Sequence, residues 1–126
     1  MSFSPTQSTR EFGNEIEQWV AHHLTQAGLV LICENYTTPF GEIDLIMMDP
    51  KNNTLVFIEV RYRKNTLYGA GFETISYAKQ KKIITSAKCF IRYKPKLSDR
   101  PIRFDVASVS GSLPNLELDW IPDAFV

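Results

Sequence analysis

The sequence predicts an α/β domain: a mixed central sheet of about five strands flanked by helices, in the order α-β-β-β-α-β-β. Three observations predict it. Two stretches, near residues 10–27 and 75–93, repeat apolar side chains at helical spacing. Three extended apolar runs lie between them. Two more follow the second helix, and the 126 residues suffice for one buried core.

Residues 1–8 read as a loose polar arm, and 9–126 as one domain. Ser8 or Thr9 can cap the first helix, whose stripe is Phe12, Ile16, Trp19, Val20, His23, Leu24 and Ala27. Gly28 ends it. Leu29–Tyr36 is the first predicted strand, broken by Thr37, Thr38 and Pro39. Gly41–Met48 and Thr54–Arg63 are the next two, joined into a hairpin by the turn residues Asp49–Asn53. Lys64–Phe72 is a loop, and the second helix runs from Ile75 to about Tyr93, where Lys94-Pro95 stops it. Pro101–Ser110 and Leu116–Ile121 complete the sheet around a turn at Gly111–Asn115.

Net charge is zero, but its distribution is uneven. Residues 1–60 hold two bases against eight acids, and residues 61–103 hold twelve bases against two acids. A basic face of this kind attracts phosphate backbones whatever the overall charge; the plainer alternative is a solvated lysine-rich helix. No apolar run approaches the roughly 20 residues needed to span a bilayer. Met1–Thr9 lacks the apolar core of a secretory signal, so no membrane partner and a cytoplasmic location are expected. Cys33 and Cys89 are expected to be reduced and buried, and neither has the neighbours of a zinc site.

The hairpin concentrates the chemistry. If it closes symmetrically about its turn, Asp44 opposes Glu59 and Glu42 opposes Arg61, all on one face. Opposed Cβ atoms stand about 5 Å apart, so two carboxylates repel unless something binds between them. A hard cation such as Mg²⁺ relieves that repulsion with one or two carboxylates. The alternative is a set of surface ion pairs, Glu42–Arg61 and Glu59–Arg63, which leaves Asp44 without an obvious partner.

The stretches Gly41-Glu42-Ile43-Asp44-Leu45-Ile46 and Phe57-Ile58-Glu59-Val60-Arg61 resemble the signature of the YraN-like family of small bacterial proteins. The resemblance extends to Gly13-Asn14-Glu15, to Lys79-Gln80-Lys81-Lys82 and to Arg103-Phe104-Asp105-Val106. It implies a restriction-endonuclease-like fold, similar to Holliday-junction resolvases and other PD-(D/E)XK nucleases. On that resemblance Asp44, Glu59 and Glu15 hold Mg²⁺ or Mn²⁺, and Arg61 stands where a lysine is usual. Gln80 is a polar companion on the second helix. The implied activity is endonucleolytic hydrolysis in DNA processing or repair, with DNA favoured over RNA as partner. A homodimer is compatible with it, since structure-selective nucleases often pair two sites.

Arginine stays protonated and cannot act as a base. Arg61 therefore leaves open a nucleic-acid-binding module that has lost its chemistry; a third alternative is a non-enzymatic scaffold whose charged end docks another protein. Arg63, Lys64, Lys79, Lys81, Lys82, Lys88 and Arg92 are the expected nucleic-acid contacts. Lys81, Lys88 and Arg92 share one flank of the second helix, and Lys79 and Lys82 share the other. Of the weaker signals, His23 reads as a core histidine and Gly69-Ala70-Gly71 as too short to cradle a phosphate. Tyr62, Tyr68, Tyr77 and Tyr93 are candidates for base stacking, with packing as their alternative use.

Overall fold

The computed structural model describes residues 9–63 and 75–125; the expected arm at 1–8 and the whole of the expected loop at 64–72 lie outside them. The element order is α1 (Thr9–Gln26), β1 (Val30–Thr38), β2 (Gly41–Asp49), β3 (Thr54–Arg63), α2 (Tyr77–Arg92), β4 (Ile102–Ser112) and β5 (Asn115–Phe125). A short 3₁₀ turn at Pro95–Leu97 follows α2. The expected order α-β-β-β-α-β-β is the one observed. The five strands lie in sequence order, and only β3 and β4, which flank α2 in the chain, are parallel. That pairing makes the sheet mixed, because a parallel connection requires a crossover element.

Local chemistry sets the helix ends. The Gly28 N–H bonds Thr25 O and the Leu29 N–H bonds Leu24 O, both at 3.0 Å, with Gly28 at φ 109°. This is a Schellman closure, and glycine adopts the required left-handed backbone without strain. α2 begins two residues later than predicted because Ser76 Oγ caps it, accepting the Lys79 N–H at 3.2 Å.

One helix covers each face of the sheet. Ile16, Val20, Ala21 and Leu24 of α1 pack on Leu45, Met47, Val56 and Ile58. Ile83, Ala87 and Phe90 of α2 pack on Ile43, Ile46, Leu55, Phe57 and Phe104. Phe57 lies 5.6 Å from Phe104 and 6.1 Å from Phe90. Burying each such ring contributes about 1.5–3 kcal/mol. His23 is half-buried rather than central, with Nδ1 3.0 Å from Trp19 O, and Ala27 is exposed. The two cysteines are free and half-buried, not fully buried.

A buried polar staple joins the far strands. Asp105 is fully buried and accepts from Arg103 Nε at 3.0 Å, Trp120 Nε1 at 2.9 Å and the Asp123 N–H at 2.9 Å. Arg103 extends the chain to Asp49 at 3.0 Å. Both oxygens of Asp105 accept hydrogen bonds, the condition under which a buried charge is tolerated.

Candidate carboxylate site

The β2–β3 ladder has the register the hairpin symmetry predicts, from Asp49 opposite Thr54 to Leu45 opposite Ile58. There it stops, one pair short of Asp44 and Glu59. The cause is a turn in the β1–β2 ribbon. Ile43 packs in the α2-side cluster and Leu45 in the α1-side cluster, although strict alternation would place them on one face. On β1, Asn35 sits between the Glu34–Leu45 and Tyr36–Ile43 pairs with φ 51°, a left-handed backbone that Asn tolerates better than most residues.

Asp44 occupies the resulting split. Its Oδ2 accepts the Val60 N–H at 2.8 Å, tying β2 to β3 where the ladder has ended. Between the two helical layers, Asp44 is within hydrogen-bonding reach of Glu17 from α1 and of Glu59 from β3. Glu59 is buried, only 7% exposed. Burial, followed by the charge and hydrogen bond of Asp44, pushes its carboxyl up to about 8, while Lys79 and Arg61 pull against the rise. Glu17 is pushed up to about 7, first by burial and then by Asp44, with a smaller contribution from Glu42. Once its amide is oriented to suit its neighbours, Asn35 donates to Glu17 Oε1 at 2.7 Å and to Glu42 Oε1 at 2.9 Å. The split thus gathers acids whose mutual repulsion is relieved by protons.

Two cations border Glu59. Lys79 Nζ, from the first turn of α2, is 3.6 Å from Glu59 Oε2, and Arg61 Nη1 is 4.0 Å from it. Gln80 is half-buried, and its Nε2 donates to Ile75 O at 2.8 Å rather than to a carboxylate. It secures the entry to α2. Lys81, Lys82, Lys88 and Arg92 are exposed, and Lys81 Nζ stands 4.8 Å over the Tyr77 ring. Arg63, at the end of β3, is half-buried, and Lys64 lies outside the described residues.

Glu15, expected with the metal-binding set, is placed elsewhere. It borders a groove of about 420 Å³ with Trp19, His22 and Pro114, and its buried Oε2 has no hydrogen-bond partner among the described residues. The helix-one glutamate of the cluster is Glu17. At about 100° per residue the two diverge by about 200°, so they occupy different flanks of α1. The available signal was Glu17's position between Val20, Ala21 and Leu24 on the wheel, the side chains that are buried. Counting the peripheral Phe12, Trp19 and His23 as core shifts the apparent stripe toward Glu15.

The donor set suits a hard divalent cation. Asp44 and Glu59 offer oxygen ligands, and Mg²⁺ needs only one or two protein carboxylates because it keeps several waters. Among the described residues no group of three or more His, Cys, Asp or Glu forms a ready-made metal cage. Asp44 instead lies within hydrogen-bonding reach of Glu17 on one side and Glu59 on the other.

The family model described as "Uncharacterised protein family UPF0102" matches residues 16–109. The chain belongs to the UPF0102 family. A UPF0102 protein of Psychromonas ingrahamii is 45% identical over 120 residues, covering 94% of this chain and 93% of its own. One from Yersinia enterocolitica is 40% identical over 119 residues, covering 94% and 97%. Among solved structures, Pyrococcus furiosus SfsA in complex with Ca²⁺ aligns with a TM-score of 0.37 at 13% identity. That alignment covers 93% of this chain, which spans 63% of the SfsA chain. The matched UPF0102 segment contains Glu17, Asp44, Glu59 and Lys79.

Proposed function

We propose that this UPF0102 protein is a divalent-metal-dependent phosphodiesterase acting on DNA, with its reacting centre at Asp44, Glu59 and Glu17. The carrying observation is the convergence of three acidic side chains, from β2, β3 and α1, on the split between β2 and β3. Nothing in the packing of a sheet requires them there. Like charges gathered in a half-dry site cost stability, and a fold that retains them has a use for positive charge between them.

Asp44 and Glu59 would hold Mg²⁺ or Mn²⁺, with Glu17 as a third oxygen donor. Such an ion, when bound, polarises a phosphoryl oxygen and supplies hydroxide near neutral pH. The chain's own residues do the rest. Asn35 orients Glu17 by donating to Oε1. The Val60 N–H fixes Asp44 Oδ2. Lys79 and Arg61 stand at the rim of Glu59, where they can neutralise a phosphate as it arrives. Arg61 cannot remove a proton. Its part is to bind phosphate and stabilise developing negative charge.

The test is cleavage of purified, structurally varied DNA in Mg²⁺ and in Mn²⁺. Activity should vanish in Asp44→Asn and Glu59→Gln. Activity that survives both substitutions belongs to a contaminant and ends the assignment. A second reading, favoured by Arg61 in the lysine position, is a nucleic-acid-binding module without chemistry; it requires salt-dependent binding with no cleavage under any metal.

A further inference from the structure

The end of α2 remote from the carboxylates carries a feature the cleavage reading does not use. The β1–β2 turn folds against this helix and is pinned there by one hydroxyl. Thr38 Oγ1 lies 2.9 Å from Ser86 Oγ and accepts the N–H groups of Phe40 at 3.0 Å and Gly41 at 3.2 Å. Gly41 closes the turn at φ 155°, a backbone that side-chain-bearing residues rarely adopt, and packs against Lys82. The pinned turn presents Phe40 outward, 55% exposed, opposite Tyr93, 74% exposed. With Tyr36, Cys89 and Arg92 they line a cleft of about 320 Å³. Leaving such rings in water forfeits about 25 cal/mol per Å² of apolar surface.

The surroundings indicate what covers them. α2 carries five bases, Lys79, Lys81, Lys82, Lys88 and Arg92, and no acid. The chain continues through Lys94 and Lys96. Aromatic faces beside a run of cations match a single nucleic-acid strand, whose bases stack and whose phosphates pair with the bases of the protein. A duplex hides its base faces and offers only phosphates and groove edges. From Lys79, beside Glu59, to Arg92, at the cleft, the helix rises about 20 Å.

We infer that the Phe40–Tyr93 cleft is a stacking site for an unpaired base, holding single-stranded DNA along α2, whose basic side chains on both flanks extend from Arg92 at the cleft to Lys79 beside Glu59. The inference rests on the nucleic-acid reading above and gives that site a strand preference.

The experiment is fluorescence anisotropy in EDTA, with fluorescein-labelled oligothymidylate of about 16 nucleotides and a duplex of equal length. Because EDTA removes catalysis, binding is read independently of cleavage. Phe40→Ala and Tyr93→Ala should each weaken single-strand binding about five-fold or more and leave duplex binding within about two-fold. Lys81→Ala with Lys88→Ala should weaken both, and reduce the salt dependence. Both rings are exposed, so circular dichroism of the variants should match the parent. Unchanged single-strand affinity in Phe40→Ala and Tyr93→Ala overturns the cleft while leaving the nucleic-acid reading intact. Absence of any binding at low salt overturns both.

Discussion

Lys79 Nζ stands 3.6 Å from Glu59 Oε2, reaching from the first turn of α2 to a buried carboxyl on β3. Arg61, in the strand position that the family resemblance assigns to a lysine, is 4.0 Å from the same oxygen. A lysine amine thus stands beside Glu59, carried by a different element from Arg61. Lys79→Met should lower single-turnover DNA cleavage about 10²-fold, the usual effect of deleting one charge-stabilising donor. Arg61→Lys should leave cleavage within about ten-fold, because the rim keeps its charge. Rapid-quench measurement at saturating metal checks both. Equal activity in Lys79→Met and the parent would remove Lys79 from the site.

The acid cluster makes stability depend on pH in an unusual direction. Glu17 is raised to about 7 and Glu59 to about 8, from an ordinary value of 4.5. In that window the folded chain holds more protons than the unfolded one, so the slope of unfolding free energy against pH is negative. Metal-free protein should lose stability as pH rises from about 4.5 to about 8, with no further loss from these groups above it. Glu59→Gln should flatten much of that slope and stabilise the chain at pH 8. Urea titrations in EDTA across the range decide it; stability that rises through the window would contradict the cluster as drawn.

Glu17 and Glu15 should separate cleanly. Glu17→Gln should weaken the rise in melting temperature on adding Mn²⁺ by about 10–100-fold in apparent affinity, as loss of a ligand or its support does. Glu15→Gln should leave it unchanged, since Glu15 faces the Trp19 groove. The reverse result would favour Glu15, the residue that the sequence resemblance assigns to the metal.

The Asp105 staple is structural. Asp105→Ala leaves Arg103 Nε, the Trp120 indole N–H and the Asp123 N–H without their buried acceptor, with Arg103 held only by Asp49 among the described residues, and should cost about 3 kcal/mol of unfolding free energy. Asp105→Asn keeps an acceptor and should cost less. Denaturant midpoints of the two variants check the order.

Elements governed by strong local pattern were legible from the residues alone. β3 spans Thr54–Arg63, the range its β-branched and aromatic run predicts, and the hairpin register follows from turn symmetry. β1 and β5 extend beyond prediction, to Thr38 and Phe125, because pairing with neighbouring strands overrides weak local preference. At the site, hairpin arithmetic brings Asp44 and Glu59 close, but it does not show the end of the ladder one pair before them, where Asp44 turns to the Val60 N–H. Glu17 was not legible, because its partner lies in another layer and depends on the rotation of α1 about its axis. Nor was Asn35, whose left-handed backbone opens the strands; one Asn in a strand-like run does not announce a kink.

The central claim is that Asp44 anchors a divalent-cation site. Isothermal titration of Mn²⁺ into metal-free protein at pH 7, repeated in two buffers of different ionisation enthalpy, tests it most directly. Asp44→Asn is the matched control, since the amide oxygen can still accept the Val60 N–H and preserve the strand split. The account predicts one saturable site whose apparent heat depends on buffer, because cation entry expels protons held by Glu17 and Glu59, and whose affinity collapses in Asp44→Asn. Titrations without binding heat in either buffer, or binding of equal strength in Asp44→Asn, would contradict it.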